Sequence, residues 1–268
     1  MSQNNVEHSE PTSEKLKDFH HEPSYERRVV IFYDVLGWRS RITEAGNRVE
    51  ELGNLRRLIL RHTRSLPLRP IHGLRFSTFS DNIVITQKAS EETPRLFMQM
   101  AFLQVAAAMQ GFLLRGGITV GEIIHDDECV FGPGLNRAYE LENKVAVYPR
   151  FVLDPNVVSE FGFIEDLAVV EDDVLFLDPF RSGFIAYMKE QHVFLDKQTA
   201  IDAGLPAPEN SLPKYGNEQI LGVILDKLKP QIRGPLGDRE WAKIAWLYDR
   251  IAAQLGVPPA SSYPRLRG

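Results

Sequence analysis

The stretch VVIFYDVLGWRSR, Val29 to Arg41, decides the reading of this chain. Val29, Val30, Ile31, Phe32 and Tyr33 form an unbroken apolar run of strand length, the pattern of a strand buried on both faces. Asp34 closes the run, ahead of Val35, Leu36, Gly37 and the aromatic Trp38. A carboxylate there is either a turn or cap residue or a group held in place for chemistry. The elements that follow decide which, because they fix what the acid stands beside.

Trp38 to about Ser65 reads as helical, with Ile42, Val49, Leu52, Leu55, Ile59 and Leu60 as its apolar stripe. Two prolines and a glycine in Leu66 to Gly73 break it. Leu74 to Phe79 and Asn82 to Gln87 then read as two strands joined at Ser80-Asp81. Pro94 to Gly111 is a largely buried helix closed by a glycine, and Leu113 to Ile124 a strand whose glycines permit close backbone approach. Strand, helix, strand, strand, helix, strand is the ferredoxin-like order, an α+β fold. It places the first strand centrally, beside the strand that enters the hairpin. The end of the first strand and the hairpin turn then share one sheet edge, and Asp34 and Asp81 become neighbours across strands about 4.8 Å apart.

Farther on, Cys129 to Lys144 reads as a short extended piece, a turn and a helix, Pro149 to Asp154 as a strand and Val174 to Asp178 as another. A region punctuated by Pro and Gly, Gly204 to Gly216, precedes two amphipathic helices at about Glu218–Leu228 and Asp238–Leu255. The expected organisation is a mobile polar arm over 1–27, a core over 28–155, and further strands and covering helices of the same domain over 156–268.

The 268 residues suffice for one large domain, and a net charge of -5 argues against a surface that coats nucleic acid. No apolar run is long enough to span a bilayer, and the polar N-terminus has no signal-peptide core. The lone Cys129 excludes an intrachain disulfide and, with no export signal, points to the cytoplasm.

Two carboxylates at a sheet edge suit a pair of hard divalent cations, which in two-metal sites stabilise the attacking and leaving oxygens of a phosphoryl displacement. Mg²⁺ or Mn²⁺ would be held by the carboxylates and substrate phosphates, with the Val35 carbonyl as a further ligand. Gly37 lets the chain turn away, so that backbone N–H groups at the next helix face a triphosphate. Against this stands the plainer reading, in which Asp34 caps a turn and Ser80-Asp81-Asn82 is ordinary hairpin chemistry.

Four segments carry a resemblance. FYDVLGW (Phe32 to Trp38) resembles the first metal-binding signature of class III nucleotidyl cyclases, and FSTFSDNIVI (Phe76 to Ile85) their hairpin with the second metal acid. LRGGITVGEII (Leu114 to Ile124) is similar to their R-x-G-I-x-x-G strand, and FGPGLNRAYELE (Phe131 to Glu142) to the segment whose asparagine contacts the nucleotide. With YPRFVLDP, Tyr148 to Pro155, the last segment also resembles the bacterial pyrimidine cyclases of the Pycsar anti-phage system.

The resemblance implies a ferredoxin-like, palm-type catalytic domain with extra C-terminal helices. Asp34, Asp81 and the Val35 carbonyl would hold two Mn²⁺ or Mg²⁺ ions, and Phe32, Leu36, Gly37 and Trp38 would lie along the triphosphate and sugar. Asn136 would reach the substrate held by a second copy, so a head-to-tail homodimer is implied. The 3′-oxygen would attack the α-phosphate and release pyrophosphate. The product, cyclic UMP or cyclic CMP, would be a second messenger read by a separate effector with a cyclic-nucleotide-binding domain.

Departures from the family pattern bear on substrate. Purine cyclases read their base with a residue four before the second metal acid and another near the F-G segment; here these are Ser77 and Cys129. Ser77 is too short to meet a purine edge as Lys or Glu would. Arg75, on the same strand face, either offers donors to a uracil carbonyl or is a solvated strand residue; UTP is favoured over CTP on that ground. Glu140 stands where these enzymes carry a transition-state arginine, and Glu140–Lys144 reads as a surface pair. Arg137 is left as the neighbouring catalytic candidate. His125, Asp126 and Asp127 read as a turn. A silent cyclase-homology domain that binds nucleotide or only dimerises is the competing class. A diguanylate cyclase would need G-G-[D/E]-E-F where this chain has FSDNI.

Overall fold

The computed structural model describes residues 24–64, 73–162, 167–181, 183–184 and 216–266. Strand β1 spans Glu26–Val35. Helices α1 (Trp38–Ala45) and α2 (Val49–Arg64) follow, then β2 (Arg75–Phe79), β3 (Asn82–Lys88), α3 (Thr93–Ala108) and β4 (Leu114–His125). Next come β5 (Val130–Phe131), α4 (Pro133–Glu140), a π-turn at Leu141–Val145, β6 (Phe151–Leu153), α5 (Pro155–Phe161), β7 (Ala168–Glu171) and β8 (Val174–Leu177). Helices α6 (Asn217–Arg233) and α7 (Asp238–Leu255) follow, and a 3-10 turn at Ala260–Ser262 ends the described elements. No helix among the described residues is long and apolar enough to cross a membrane.

The sheet order is β2-β3-β1-β4-β6-β8-β7, with β5 paired to β4. Its first four strands and the helices between them have the ferredoxin-like arrangement that the order of elements predicts. One adjacency differs. β1 pairs with β3, the strand that leaves the hairpin, not with β2, which enters it. The burial of the two strands gives the reason. β3 (NIVITQK) is buried through its middle and takes an inner place, whereas β2 (RFSTF) is half-buried to exposed and forms the edge.

The single helix expected after β1 is two, separated where Gly46 takes φ +50 at the C-terminus of α1. Strand β1 starts at Glu26, two residues before the expected onset of order at Arg28. Helix α5 and strand β7 have no counterpart in the sequence reading. Residues 1–23 of the arm expected over 1–27, most of the break at 66–73 and most of the Pro- and Gly-rich region at 204–216 lie outside the described residues, while the arm's Glu26 and Arg27 belong to β1.

Paired residues on neighbouring strands point to the same side, so the register sorts the sheet into two faces. Val29, Ile31, Tyr33 and Val35 of β1 point to one side, with Ile83 and Ile85 of β3 and Ile118 and Val120 of β4. They join Leu96, Phe97 and Met100 of α3, Ile224 and Leu228 of α6, and Leu247 and Ile251 of α7 in one apolar core. Each such fully buried side chain contributes about 1.5–3 kcal/mol by leaving water.

Arg28, Val30, Phe32 and Asp34 point to the other side. There a smaller cluster of Val30, Ile123 and Ala138 seats α4 against the sheet. Two glycines of β4 permit the contact. A Cβ on Gly117 would lie 2.3 Å from the Ala138 carbonyl oxygen, and one on Gly121 would lie 2.7 Å from the Cα of Gly134. The side with Asp34 is therefore only partly covered, and it carries the polar residues.

Candidate active site

Asp34 is the penultimate residue of β1, paired in register with Arg115 at the start of β4. The Arg115 guanidinium donates from Nε to Oδ1 at 3.2 Å and from Nη2 to Oδ2 at 2.8 Å. Such a fork is the strong form of the carboxylate–guanidinium pair. Arg115 also makes an ion pair with Glu142 of the π-turn, although Glu142 Oε1 has no aligned hydrogen bond. Burial, and then the charge of Asp34, push the Glu142 carboxyl up to about 7, with Arg115 opposing. Asp34, Arg115 and Glu142 thus form an acid–guanidinium–acid row at the end of the central strands.

Asp81 lies in the β2–β3 turn. The β1–β3 ladder ends at Tyr33↔Ile83, so its continuation sets Asp34 beside Asn82, with Asp81 one residue farther. The two carboxylates share one end of adjacent strands about 4.8 Å apart. A bond from Trp38 Nε1 to Ser80 Oγ, 3.2 Å, ties the turn to the start of α1. Ser80 itself sits at φ +60, so the turn is a tight one. Asp81 makes no hydrogen bond or ion pair among the described residues.

The donor set suits a hard divalent cation. Asp81 offers a half-buried carboxylate with no partner among the described residues, while both Asp34 oxygens accept from Arg115, which a bound cation would have to share or displace. Gly37, at φ +76, adopts the left-handed conformation that turns the chain into α1. The first N–H groups of α1 lie beside it. Trp38 is buried in the main core, and Leu36 donates its N–H to Leu113 O at 2.8 Å. Phe32 is half-buried on the open face, edge-on to Tyr139 at 5.3 Å between ring centres.

Ser77 and Arg75 of β2 point to the same face as Asp34. Ser77 pairs with Val84, which pairs with Phe32, so Ser77 stands two strands across and one pleat along from Asp34. That is about 12 Å from the acid, from the strand spacing and rise. It is a separation suited to a nucleotide with its phosphates at one end and its base at the other.

His125 reaches this place from β4, although β4 neighbours neither β2 nor β3. Its ring lies 2.9 Å from Ser77 Oγ through Nε2 and 2.8 Å from Thr86 Oγ1 through Nδ1. The end of β4 therefore arches back across β1. Arg75 donates to the His125 carbonyl, and Arg28, fully buried, donates from Nε to Thr86 Oγ1 at 3.0 Å. Burial, and then the charges of Arg28 and Arg75, hold the His125 imidazole down at about 4. His125 is thus a buried ring at the end of β4, held in a network, not the turn residue expected of it. Asp126 does make a turn, accepting from the N–H groups of Glu128 and Cys129 at 2.9 and 2.8 Å. Cys129 is exposed there, and slight desolvation together with the hydrogen bond and charge of Asp126 raises its thiol above the ordinary value.

Asn136 is exposed on α4 with its side chain unbonded among the described residues. Arg137 makes a bidentate pair with Asp154, Nε to Oδ2 at 2.7 Å and Nη2 to Oδ1 at 3.1 Å. Thr119 donates to the same carboxylate at 2.8 Å, so Arg137 fastens α4 to the start of α5. Glu140 pairs with Lys144 at 3.3 Å and Arg137 at 3.7 Å, surface pairs as their spacing implies.

The structure thus gathers Asp34, Asp81, Phe32, Gly37, Arg75 and Ser77 on one face and edge, and leaves Asn136 exposed on α4, the helix that packs on the same face. It places Trp38 in the core. Sequence reasoning missed Arg115, Glu142 and His125. The available signal for Arg115 was its place opposite Asp34 in an antiparallel register, and for Glu142 its place one turn after the Gly117 contact.

No protein-family model matches the chain, and no curated protein matches it. Solved structures do. The guanylate cyclase domain of RhGC from Catenaria anguillulae, in complex with GTP, is 13% identical, covering 59% of this chain and 98% of that one at a TM-score of 0.44. An adenylyl cyclase from P. aeruginosa is 15% identical, covering 58% and 95% at a TM-score of 0.41. A class III adenylyl cyclase-like ATP-binding protein from Pseudomonas aeruginosa is 15% identical over 79% of this chain and 46% of that one, at a TM-score of 0.38.

Proposed function

We propose that this chain is a class III nucleotidyl cyclase that converts UTP to 3′,5′-cyclic UMP and pyrophosphate, at a site completed by a second copy. The observation that carries the reading is the pair Asp34 and Asp81 at one end of adjacent strands, the second a half-buried carboxylate without a partner among the described residues. The four motif segments support the same reading.

Asp34 and Asp81, with the Val35 carbonyl, would hold two Mn²⁺ or Mg²⁺ ions. When bound, these supply charge neutralisation to the phosphates and lower the cost of ionising the attacking hydroxyl. The chain's own groups do the rest. Arg115 fixes the Asp34 carboxylate in orientation through its two hydrogen bonds. Glu142, held near 7, carries a proton on a large fraction of molecules at neutral pH, which limits the negative charge around Asp34. The start of α1 offers N–H groups to the triphosphate. The ribose 3′-oxygen forms a bond to the α-phosphorus, the bond to the bridging oxygen breaks, pyrophosphate leaves with the electron pair, and the hydroxyl proton goes to solvent. Asn136 would orient the sugar in the partner's site. In this reading the product is a messenger for a separate cyclic-nucleotide-binding effector of anti-phage defence.

One observation favours a second reading, a silent nucleotide-binding domain: Arg115 occupies Asp34 on two hydrogen bonds, and Glu140 stands where an arginine is expected. Incubation with ATP, GTP, CTP and UTP in Mn²⁺, beside Asp34→Asn and Asp81→Asn, separates the two. Cyclic UMP formed by the parent and lost in both variants is the expected result. A purine product would overturn the substrate assignment. No product from a dimer that binds nucleotide would establish the silent domain.

A further inference from the structure

We infer that His125 is a positioning residue for base recognition, fixing the Ser77 hydroxyl so that it presents a proton, and not a lone pair, to the nucleobase. The inference rests on the cyclase reading for its ligand and on a hydrogen-bond inventory for its direction. Arg28 Nε can only donate, so Thr86 Oγ1 accepts from it at 3.0 Å. Thr86 is completely buried, and its hydroxyl has one remaining neighbour among the described residues, His125 Nδ1 at 2.8 Å. The Thr86 proton therefore goes to Nδ1, because a buried hydroxyl proton left unbonded costs about 1–3 kcal/mol.

With Nδ1 accepting, the neutral imidazole carries its hydrogen on Nε2. The ring is neutral at physiological pH, since burial and the two arginines hold it at about 4. Nε2–H then points toward Ser77 Oγ, 2.9 Å away, and is shared with the Phe76 carbonyl, the backbone acceptor of this ring. The Ser77 proton is left over and turns outward, on the half-buried face shared with Asp34. Arg75, fixed by its bond to the His125 carbonyl, adds only donors to the same strip.

A donor strip selects chemistry. Uracil and cytosine differ at position 4 by a carbonyl in place of an amine, a change from acceptor to donor. A Ser77 that offers its proton bonds the uracil oxygen and leaves the cytosine amine facing a donor. Were the ring reversed, Ser77 would donate to Nε2 and accept from the amine, and the preference would invert. The direction of one buried relay, Arg28 to Thr86 to His125 to Ser77, thereby sets the choice of base.

The test uses the full chain with Mn²⁺ and measures both equilibrium binding and turnover of UTP and CTP, in the parent, His125→Phe and His125→Gln. Phenylalanine keeps a ring but offers nothing to Ser77. Glutamine can place an amide N–H where Nε2–H was. The UTP-to-CTP preference is expected to fall about tenfold in His125→Phe, the scale of one misdirected hydrogen bond, and to be restored in His125→Gln. Imidazole ¹⁵N spectra of the parent, which need no activity, are expected to show the Nε2–H form.

An Nδ1–H ring, or a preference that His125→Phe leaves unchanged, overturns the inference while turnover of UTP leaves the cyclase reading standing. Preferential UTP binding that depends on His125 without turnover supports the inference and sinks the cyclase reading. Failure of the parent to bind either nucleotide sinks both.

Discussion

Along β1, alternate residues enter different environments. Val29, Ile31, Tyr33 and Val35 are 0–1% exposed and face the core built with α3, α6 and α7. Arg28, Val30, Phe32 and Asp34, interleaved with them, face the side covered by α4 and the arch of β4. The first face is satisfied mostly by apolar area, with the Tyr33 hydroxyl and the Gln87 amide buried in it, so it specifies shape and stability. The second is satisfied by directed bonds between residues far apart in sequence, among them Arg115 with Asp34 and His125 with Ser77 and Thr86. A strand that serves both faces reads from sequence as uniformly apolar until its final acid. The contrast teaches that the open face concentrates the chemistry while the closed face concentrates the stability, and substitutions can break or sharpen that division.

The largest expected effect is on the open face. Asp34→Asn or Asp81→Asn should lower turnover by about a thousandfold or more, some 4 kcal/mol of transition-state stabilisation. Asp81→Asn should leave the unfolding midpoint nearly unchanged, because Asp81 has no partner to lose among the described residues. Steady-state rates alongside urea unfolding check both halves. A large stability loss in Asp81→Asn with turnover intact would reverse the division.

The opposite signature belongs to the closed face. Leu96, fully buried on α3, should cost about 3 kcal/mol on Leu96→Ala, with activity per folded molecule retained. Gly117→Ala lies between the two classes. Its new methyl would meet the Ala138 carbonyl at 2.3 Å, so α4 must shift. A loss of about 2 kcal/mol in stability, together with lower turnover through displacement of Asn136, is expected. If Gly117→Ala moved stability alone, α4 would be a scaffold and not part of the site.

The two faces were not equally legible in the sequence. The apolar face and the strand–hairpin order could be read because period and turn residues are local: Val29 to Tyr33, Ser80-Asp81 and the glycine after α3 each announce themselves within a few positions. Asp34 and Asp81 were legible because the order of elements alone brings their strand ends together. The ion pair of Asp34 with Arg115 joins residues 81 positions apart, and His125 meets Ser77 and Thr86 across 48 and 39 positions. No local pattern encodes such partners. His125 read as a turn because its near neighbours, Asp126 and Asp127, are turn residues. The break at Gly46 had a signal, a glycine followed by asparagine inside a helical stripe, which the continuing stripe outweighed. The choice of β3 over β2 beside β1 was also written locally, in the polar alternation of RFSTF against the apolar IVIT.

The smallest effect is a pH dependence hidden by cancellation between two buried groups of the open face. The His125 imidazole falls from 6.5 to about 4 on folding, so between those values the unfolded chain binds the extra proton and stability rises with pH. The Glu142 carboxyl rises from 4.5 to about 7, so over that window the folded chain binds the extra proton and stability falls with pH. Each excursion corresponds to about 3 kcal/mol at most, and the windows largely overlap, so the net slope from these two groups across pH 4.5 to 6.5 should be small. Removing one group uncovers the other. Relative to the parent, Glu142→Gln should gain stability as pH rises from 4.5 to 7, and His125→Phe should lose it as pH rises from 4 to 6.5. Urea midpoints taken at half-unit steps measure both difference curves. Opposite slopes in the two variants would show that the open face holds its charges in balance, whereas parallel or flat curves would mean that Arg115, Arg28 and Arg75 compensate these groups fully and that the polar face carries no stored electrostatic cost.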